Sequence, residues 1–333
     1  MPTQSGVAPG CRDAAIAYYL KRWKSEEFRT DRSVRFFWEL ARSSLTPRCS
    51  TNSQQVVVVD VGANVGEQLS YWEREFLNIS SCGATASRLI LVEPNPQNLA
   101  ALRPRVAAWR ARPHNNGDGR LDRKGGDGDG AAGGHSSHRR TPVRSGDVII
   151  VDSAASYHDG EVTFAVSKRN YGGADKGNER GSLFAKGLIA GDARTALVRT
   201  RAQTLASVFS DLRRAGELRP LANVTIPLLK IDAEGYDAAV LYGAAELLPR
   251  TNVIVFECHK LWRDAGFSFR AAVEFLSRFG FDSFKLGLFY WVPVTPPAYW
   301  DDRYEHTLQW SNCVAVRRGH PFAHMFSLPP PCE

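Results

Sequence analysis

Four absences narrow the possibilities for this 333-residue sequence. No uninterrupted run of about 18 apolar residues occurs, so no membrane-spanning helix is expected. The first residues, MPTQSGVAPGCRD, contain no apolar h-region, and no secretory leader is read there. The six cysteines, Cys11, Cys49, Cys82, Cys258, Cys313 and Cys332, form no Cys-x-x-Cys pair. Neither a zinc framework nor a disulfide scaffold is indicated, and reduced thiols in the cytoplasm are the expectation. Because no secretory leader is read, the two sequons, Asn78-Ile-Ser80 and Asn223-Val-Thr225, are read as chance matches. The fourth absence is a charged body. The net +7 arises from residues 1–50, with nine Lys/Arg against five Asp/Glu, and from residues 111–146, with seven against four. The remainder is neutral, so no nucleic-acid face is expected. A hydrophobic content of 43% and a charged content of 23% fit a globular protein long enough for a sizeable core.

Strands and helices alternate along most of the chain. Strands are expected at Val56–Val61, Arg88–Glu93, Val148–Ala154, Ile226–Asp232 and Val253–Glu257. Helices are expected at Asn64–Phe76, Asn95–Val106, Ala202–Ala215, Tyr236–Leu248 and Phe269–Phe279. Continuous apolar strands between helices indicate an open, doubly wound parallel sheet covered on both faces. The later runs FDSFKLG, FYWVPV and NCVAVRR lack intervening helices and read as antiparallel additions at one edge. Residues 1–50 form an N-terminal extension with two amphipathic helices within 13–45, residues 51–320 the main domain, and 321–333 a C-terminal tail. Residues 111–146 form a glycine-rich insertion, with eight glycines between Gly117 and Gly134 and too few apolar residues to offset the entropy of ordering.

The stretch QQVVVVDVGANVGEQLSYW ends a buried strand in Asp60 and turns at Gly62 and Gly66. Such a turn aims backbone N–H groups at a ligand, and glycine permits close approach. A P-loop would need a Gly-Lys-Ser/Thr sequence, which is missing. A dinucleotide turn would carry Gly-x-Gly-x-x-Gly, and the middle glycine is missing too. A nucleoside without pyrophosphate, S-adenosylmethionine, fits better, with Asp60 near its amino-acid end. In LILVEPNPQNLAAL, Glu93 stands at the tip of the second strand, where an acid accepts ribose hydroxyls. In IPLLKIDAEGYDAAVLYGAAELL, Asp232 and Glu234 stand at the tip of a strand beside the first.

The ordered set VVDVGANVGE, LVEPNP, DSAASYHDGEVTF, LLKIDAEGYDAAVLYGAAELL and NVIVFECH resembles the FkbM family of S-adenosylmethionine-dependent methyltransferases. The resemblance implies a class I methyltransferase, Rossmann-like α/β fold. Its sheet would have seven strands, mostly parallel with one antiparallel, and helices on both faces. It implies methyl transfer, usually to oxygen, on a small molecule or sugar. By the same resemblance Asp60, Gly62, Asn64 and Gly66 touch the cofactor, Glu93 and Pro94 lie at the ribose, and Ser153, Ala154 and Ala155 lie by the adenine. Asp232 and Glu234 would lie where cofactor and acceptor meet. The glycine-rich insertion and the N-terminal extension depart from the family pattern.

A hydroxyl acceptor must shed its proton, so a general base is expected at Glu234 or His259, with Asp232 fixing the cofactor or acceptor and His158 a weaker candidate. No metal is expected. The alternative is Asp232, Glu234, Glu257 and His259 gathered around Mg²⁺ or Mn²⁺. Functional alternatives are a catalytically silent cofactor-binding module, a protein methyltransferase and a nicotinamide-linked oxidoreductase. The aromatic-rich segment Leu286–Trp300 reads as core and edge packing, or else as an acceptor wall.

Overall fold

The computed structural model describes residues 54–72, 87–111, 148–167, 195–258, 260–286, 291–306 and 310–326. The expected N-terminal helices, the glycine-rich insertion beyond Ala111 and His259 lie outside the described residues.

Five parallel strands form the centre: β1 (Gln55–Val61), β2 (Ser87–Val92), β3 (Val148–Val151), β7 (Val224–Ile231) and β8 (Thr251–Glu257). The valine run of β1 is buried throughout, as it must be with helices on both faces. Alternation sorts its side chains, Val57, Val59 and Val61 to one core and Val58 to the other. Beyond β8 come β11 (Asn312–Arg317), β9 (Phe281–Leu286) and β10 (Trp291–Pro293), giving the order β10-β9-β11-β8-β7-β1-β2-β3. β11 runs antiparallel to β8 and β9, and β10 antiparallel to β9. The described sheet therefore has eight strands, two against the main direction, instead of seven with one. The added strand β10 is at the edge, where Pro293 costs no ladder bond to a further strand.

The strand expected at Val148–Ala154 divides. β3 stops at Val151, and β4 (Ala154–Ala155) joins a separate sheet with β5 (Gly160–Ser167) and β6 (Thr195–Gln203), in the order β4-β6-β5.

On one face α1 (Leu69–Trp72) and α2 (Pro96–Arg110) insert Leu69, Trp72, Leu99, Leu102 and Val106 against the sheet. The Asn95 side chain caps α2 by accepting from Gln97 N–H at 3.0 Å, and Pro96 takes the first-turn position where a missing N–H costs nothing. α3 (Leu205–Arg214), α4 (Asp237–Gly243), α5 (Leu261–Asp264) and α6 (Phe269–Arg278) cover the other face. The short α7 (Arg303–His306) buries Tyr304 there.

The helix expected from Asn64 begins only at Leu69. Asn64 at φ 52° and Gly66 at φ 80° are left-handed and cannot continue a right-handed helix. α3 begins at Leu205, because Ala202 and Gln203 belong to β6 and Thr204 caps the helix. The segment expected as a C-terminal tail opens with a 3-10 helix, Pro321–Phe326, and buries Phe322 and Phe326 beside Phe284. In Leu286–Trp300, Val292, Val294 and Trp300 are core residues, so packing is the role observed.

The structure corrects the reduced-thiol expectation at two positions: Cys258 and Cys313 form a disulfide. Antiparallel pairing sets Glu257 opposite Asn312 and Phe256 opposite Cys313. The two cysteines come to a Cα–Cα distance of 5.9 Å, within bridging range. Their separation of 55 residues carried no signal, because the partner is chosen by strand pairing. The other four cysteines lie outside the described residues. No described helix is long and apolar enough to cross a membrane.

Candidate active site

Strand order reverses at β1, with β2 and β3 on one side and β7 and β8 on the other. A crevice forms beyond the carboxyl ends of strands at such a switch point. Here the cleft has about 640 Å³ of space, part of it open solvent. Val61, Gly62 and Asn64 come from the β1 tip, and Val92, Glu93, Pro94 and Asn98 from the β2 tip and α2. Asp232, Ala233 and Glu234 come from the β7 tip, and Ala154, Ala155 and Phe164 from the second sheet.

Glu93 is only 3% exposed and joins the two neighbouring tips. Its Oε2 accepts from Asn64 N–H at 2.8 Å. Its Oε1 accepts from Asn95 N–H at 2.9 Å and from Asn98 Nδ2 at 3.2 Å. Burial pushes its pKa up to about 7, while those three hydrogen bonds pull the other way. The carboxyl is therefore poised near neutral pH at the cleft wall.

The glycines have a different cause from the one expected. A Cβ on Gly62 (φ 73°) would lie 1.9 Å from the Asp232 carbonyl oxygen. On Gly66 (φ 80°) it would meet Leu102 at 2.7 Å and Leu69 at 2.9 Å. The protein's own close packing, rather than ligand space, excludes a side chain at both. Gly62 lines the cleft through its backbone, and Gly66 does not line it.

Asp60 is placed apart from the cleft lining and is 2% exposed. Trp72 Nε1 donates to its Oδ2 at 2.7 Å, and Lys230 Nζ stands 3.0 Å from its Oδ1. Lys230 also donates to the Gly62 carbonyl at 3.2 Å and lies 3.4 Å from Asp232 Oδ2. Burial alone would discharge Lys230, but the charges of Asp60 and Asp232 hold its pKa above the ordinary lysine range. Burial raises the Asp60 carboxyl against the pull of Lys230 and Trp72. This buried ion pair fixes β1, β7 and the glycine turn to one another.

The DAEG turn after β7 is held by Asp237, which is fully buried. Its Oδ1 accepts from Ala233 N–H and Glu257 N–H, each at 3.3 Å, and its Oδ2 from Gly235 N–H at 3.3 Å. Glu234 takes φ 51° in this turn. Carboxylate oxygens of Asp232, Glu234 and Glu257 all lie within 4.8 Å of one another. Glu257 is 8% exposed, and Trp310 Nε1 donates to its Oε1 at 2.9 Å. Burial, then the charges of Asp232 and Asp237, raise its pKa well above the ordinary carboxylate range. His158 packs its ring on Tyr157 at 4.6 Å with Nδ1 3.0 Å from Ser156 Oγ, and it does not line the cleft.

Of the expected site residues, Gly62, Asn64, Glu93, Pro94, Ala154, Ala155, Asp232 and Glu234 line the cleft together. Ser153, like Asp60 and Gly66, does not; it is fully buried behind the wall. Val61, Val92, Asn98, Phe164 and Ala233 were missed, as were the positioning residues Lys230 and Asp237. Asn98 had a signal, an amide on the first turns of a helix directly after the acid. Phe164 had none, because only the folding of the second sheet brings β5 to the cleft.

A mostly parallel α/β sheet with an acid-lined cleft at its switch point sets the architecture against which relatives are compared. The family described as Methyltransferase FkbM domain matches residues 60–283, and the chain belongs to that family of methyltransferases. Among solved structures, the methyltransferase FkbM from Methylobacillus flagellatus KT matches with a TM-score of 0.34 and 10% identity, over 92% of this chain and 58% of that one. The chain thus spans 58% of the length of that neighbour. No curated protein matches the sequence.

Proposed function

We propose that the chain is an S-adenosylmethionine-dependent methyltransferase with a Rossmann-like cofactor site, acting on a hydroxyl of a small molecule or sugar. One observation carries this reading: every charged group lining the cleft among the described residues is an acid, Glu93, Asp232 or Glu234. Acids attract a sulfonium cation and repel a pyrophosphate, so the lining favours S-adenosylmethionine over a nicotinamide dinucleotide. The donor set fits the rest of that molecule. Glu93 would accept the ribose hydroxyls. Val92, Ala154, Ala155 and the Phe164 ring would border the adenine, and the turn from Gly62 to Asn64 the amino-acid end.

When bound, the cofactor supplies an electrophilic methyl group. The chain's part is to hold the acceptor oxygen in line and receive its proton. Glu234 lines the cleft and is the described candidate for the proton; His259 is the other candidate. Asp232, next to Lys230, orients the acceptor side. The test is transfer of isotope-labelled methyl from S-adenosylmethionine into fractionated metabolites, polysaccharides and proteins of the source cell. Label in a hydroxylated small molecule or glycan, lost in Glu93→Ala, supports the reading. Label in protein alone selects the protein methyltransferase instead, and no transfer with intact cofactor binding selects the silent module.

A metal-assisted form of the same transfer is favoured by the grouping of Asp232, Glu234 and Glu257, three hard oxygen donors of the kind that hold Mg²⁺. Activity that falls on chelation and returns with Mg²⁺ or Mn²⁺ would select it, and chelator-resistant activity would exclude it.

A further inference from the structure

We infer that Asn223 carries an N-linked glycan and that the chain matures in an oxidising compartment that attaches it. Two separate observations meet here. The first is the disulfide between Cys258 and Cys313, both fully buried in the core. Disulfides persist where the surroundings are oxidising and are rare where thiol reductants dominate. Sequons are used in such compartments, so the disulfide weighs against the chance reading that the lack of a readable leader suggested. The second is the position of Asn223-Val-Thr225. Asn-x-Ser/Thr is the acceptor sequence for glycosylation and is used where it reaches the surface. Asn223 is exposed, at the end of the 3-10 helix Leu221–Asn223 that leads into β7. The residue after Thr225 is Ile226, so no proline disturbs the sequon.

Its place in the fold also suits a bulky adduct. Asn223 precedes β7, whereas Asp232 at the cleft follows it. Eight strand residues separate them, which at about 3.3 Å each is about 26 Å. A glycan there projects from the amino-terminal edge of the sheet and leaves the cleft open. In the folded chain the Thr225 hydroxyl donates to Gln54 Oε1 at 3.4 Å.

The chemistry balances. The Asn223 carboxamide nitrogen attacks the anomeric carbon of an oligosaccharide activated as a lipid diphosphate. A C–N bond forms, the C–O bond to the diphosphate breaks, the lipid diphosphate leaves, and one amide proton is lost. The two thiols give up two electrons and two protons to a protein disulfide donor, which becomes a dithiol.

The test uses the full chain recovered from its source cells under acid quench. Peptide N-glycosidase is expected to lower its mass and to convert the Asn223 carboxamide to a carboxylate in the corresponding peptide. Asn223→Gln and Thr225→Ala should each lose that mass shift, and Thr225→Ser should keep it. Asn223 is exposed and Thr225 half-buried at the start of β7, and retained thermal unfolding in each variant separates a lost glycan from a lost fold. Differential alkylation should label Cys258 and Cys313 only after reduction. An Asn223 peptide recovered wholly as the free amide overturns the glycan. Alkylation of both cysteines in the denatured, unreduced chain overturns the compartment.

Discussion

Replacing Glu93 by Gln should change the pH dependence of stability in a direction that its buried position dictates. The wild-type carboxyl titrates at about 7 in the folded chain and at 4.5 when exposed. Between those values the unfolded chain has already lost the proton that the folded chain keeps. The unfolded state therefore binds fewer protons, and stability falls as pH rises through this window. The shift of about 2.5 units corresponds to about 3 kcal/mol in total, of which about 2 kcal/mol is lost between pH 5.5 and pH 8. A glutamine does not titrate. Its amide nitrogen must face either Asn64 N–H or the Asn95 and Asn98 donors, so at acid pH the variant should be weaker by about 1–3 kcal/mol, the cost of a buried unsatisfied group. Urea unfolding of both proteins from pH 5.5 to pH 8 measures the difference. The gap should narrow by about 2 kcal/mol across that range. A constant gap would refute the claim that Glu93 is held near neutrality, and a widening gap would reverse its sign.

Other expectations follow from the same geometry. Lys230→Met leaves Asp60 buried without its cation and should cost about 3–5 kcal/mol in urea unfolding. Trp72→Phe removes one donor to the same carboxylate and should cost about 1–3 kcal/mol. Gly62→Ala should unfold the chain or abolish ligand binding, because its Cβ would lie 1.9 Å from a backbone oxygen. Gly319→Ala, also left-handed but open, should cost only about 1–2 kcal/mol by thermal unfolding. Replacing both Cys258 and Cys313 by alanine should cost up to about 4 kcal/mol by the loop-closure relation for a 55-residue separation, read as a lower urea midpoint.

The strand tips were legible because apolar runs ending in an acid must stop where the sheet meets solvent. Glu93, Asp232 and Glu234 followed from that rule alone. Asp60 obeyed the same pattern yet turns inward, since its direction depends on Trp72 on α1 and on Lys230, 170 positions away. Both glycines were visible, but their cause was not, because the Asp232 carbonyl reaches Gly62 only after β7 pairs with β1. Phe164 and the disulfide were hidden for the same reason: each depends on contacts between segments far apart in sequence. The division of β3 from β4 was equally invisible, as Val148–Ala154 is apolar enough to read as one strand.

Equilibrium titration of the purified chain with S-adenosylmethionine and, separately, with NAD⁺ tests the central claim most directly. Saturable binding of S-adenosylmethionine that Glu93→Ala removes, with no heat from NAD⁺, is the predicted result. Binding of the dinucleotide, or cofactor affinity untouched by Glu93→Ala, would contradict the assignment of the acid-lined cleft.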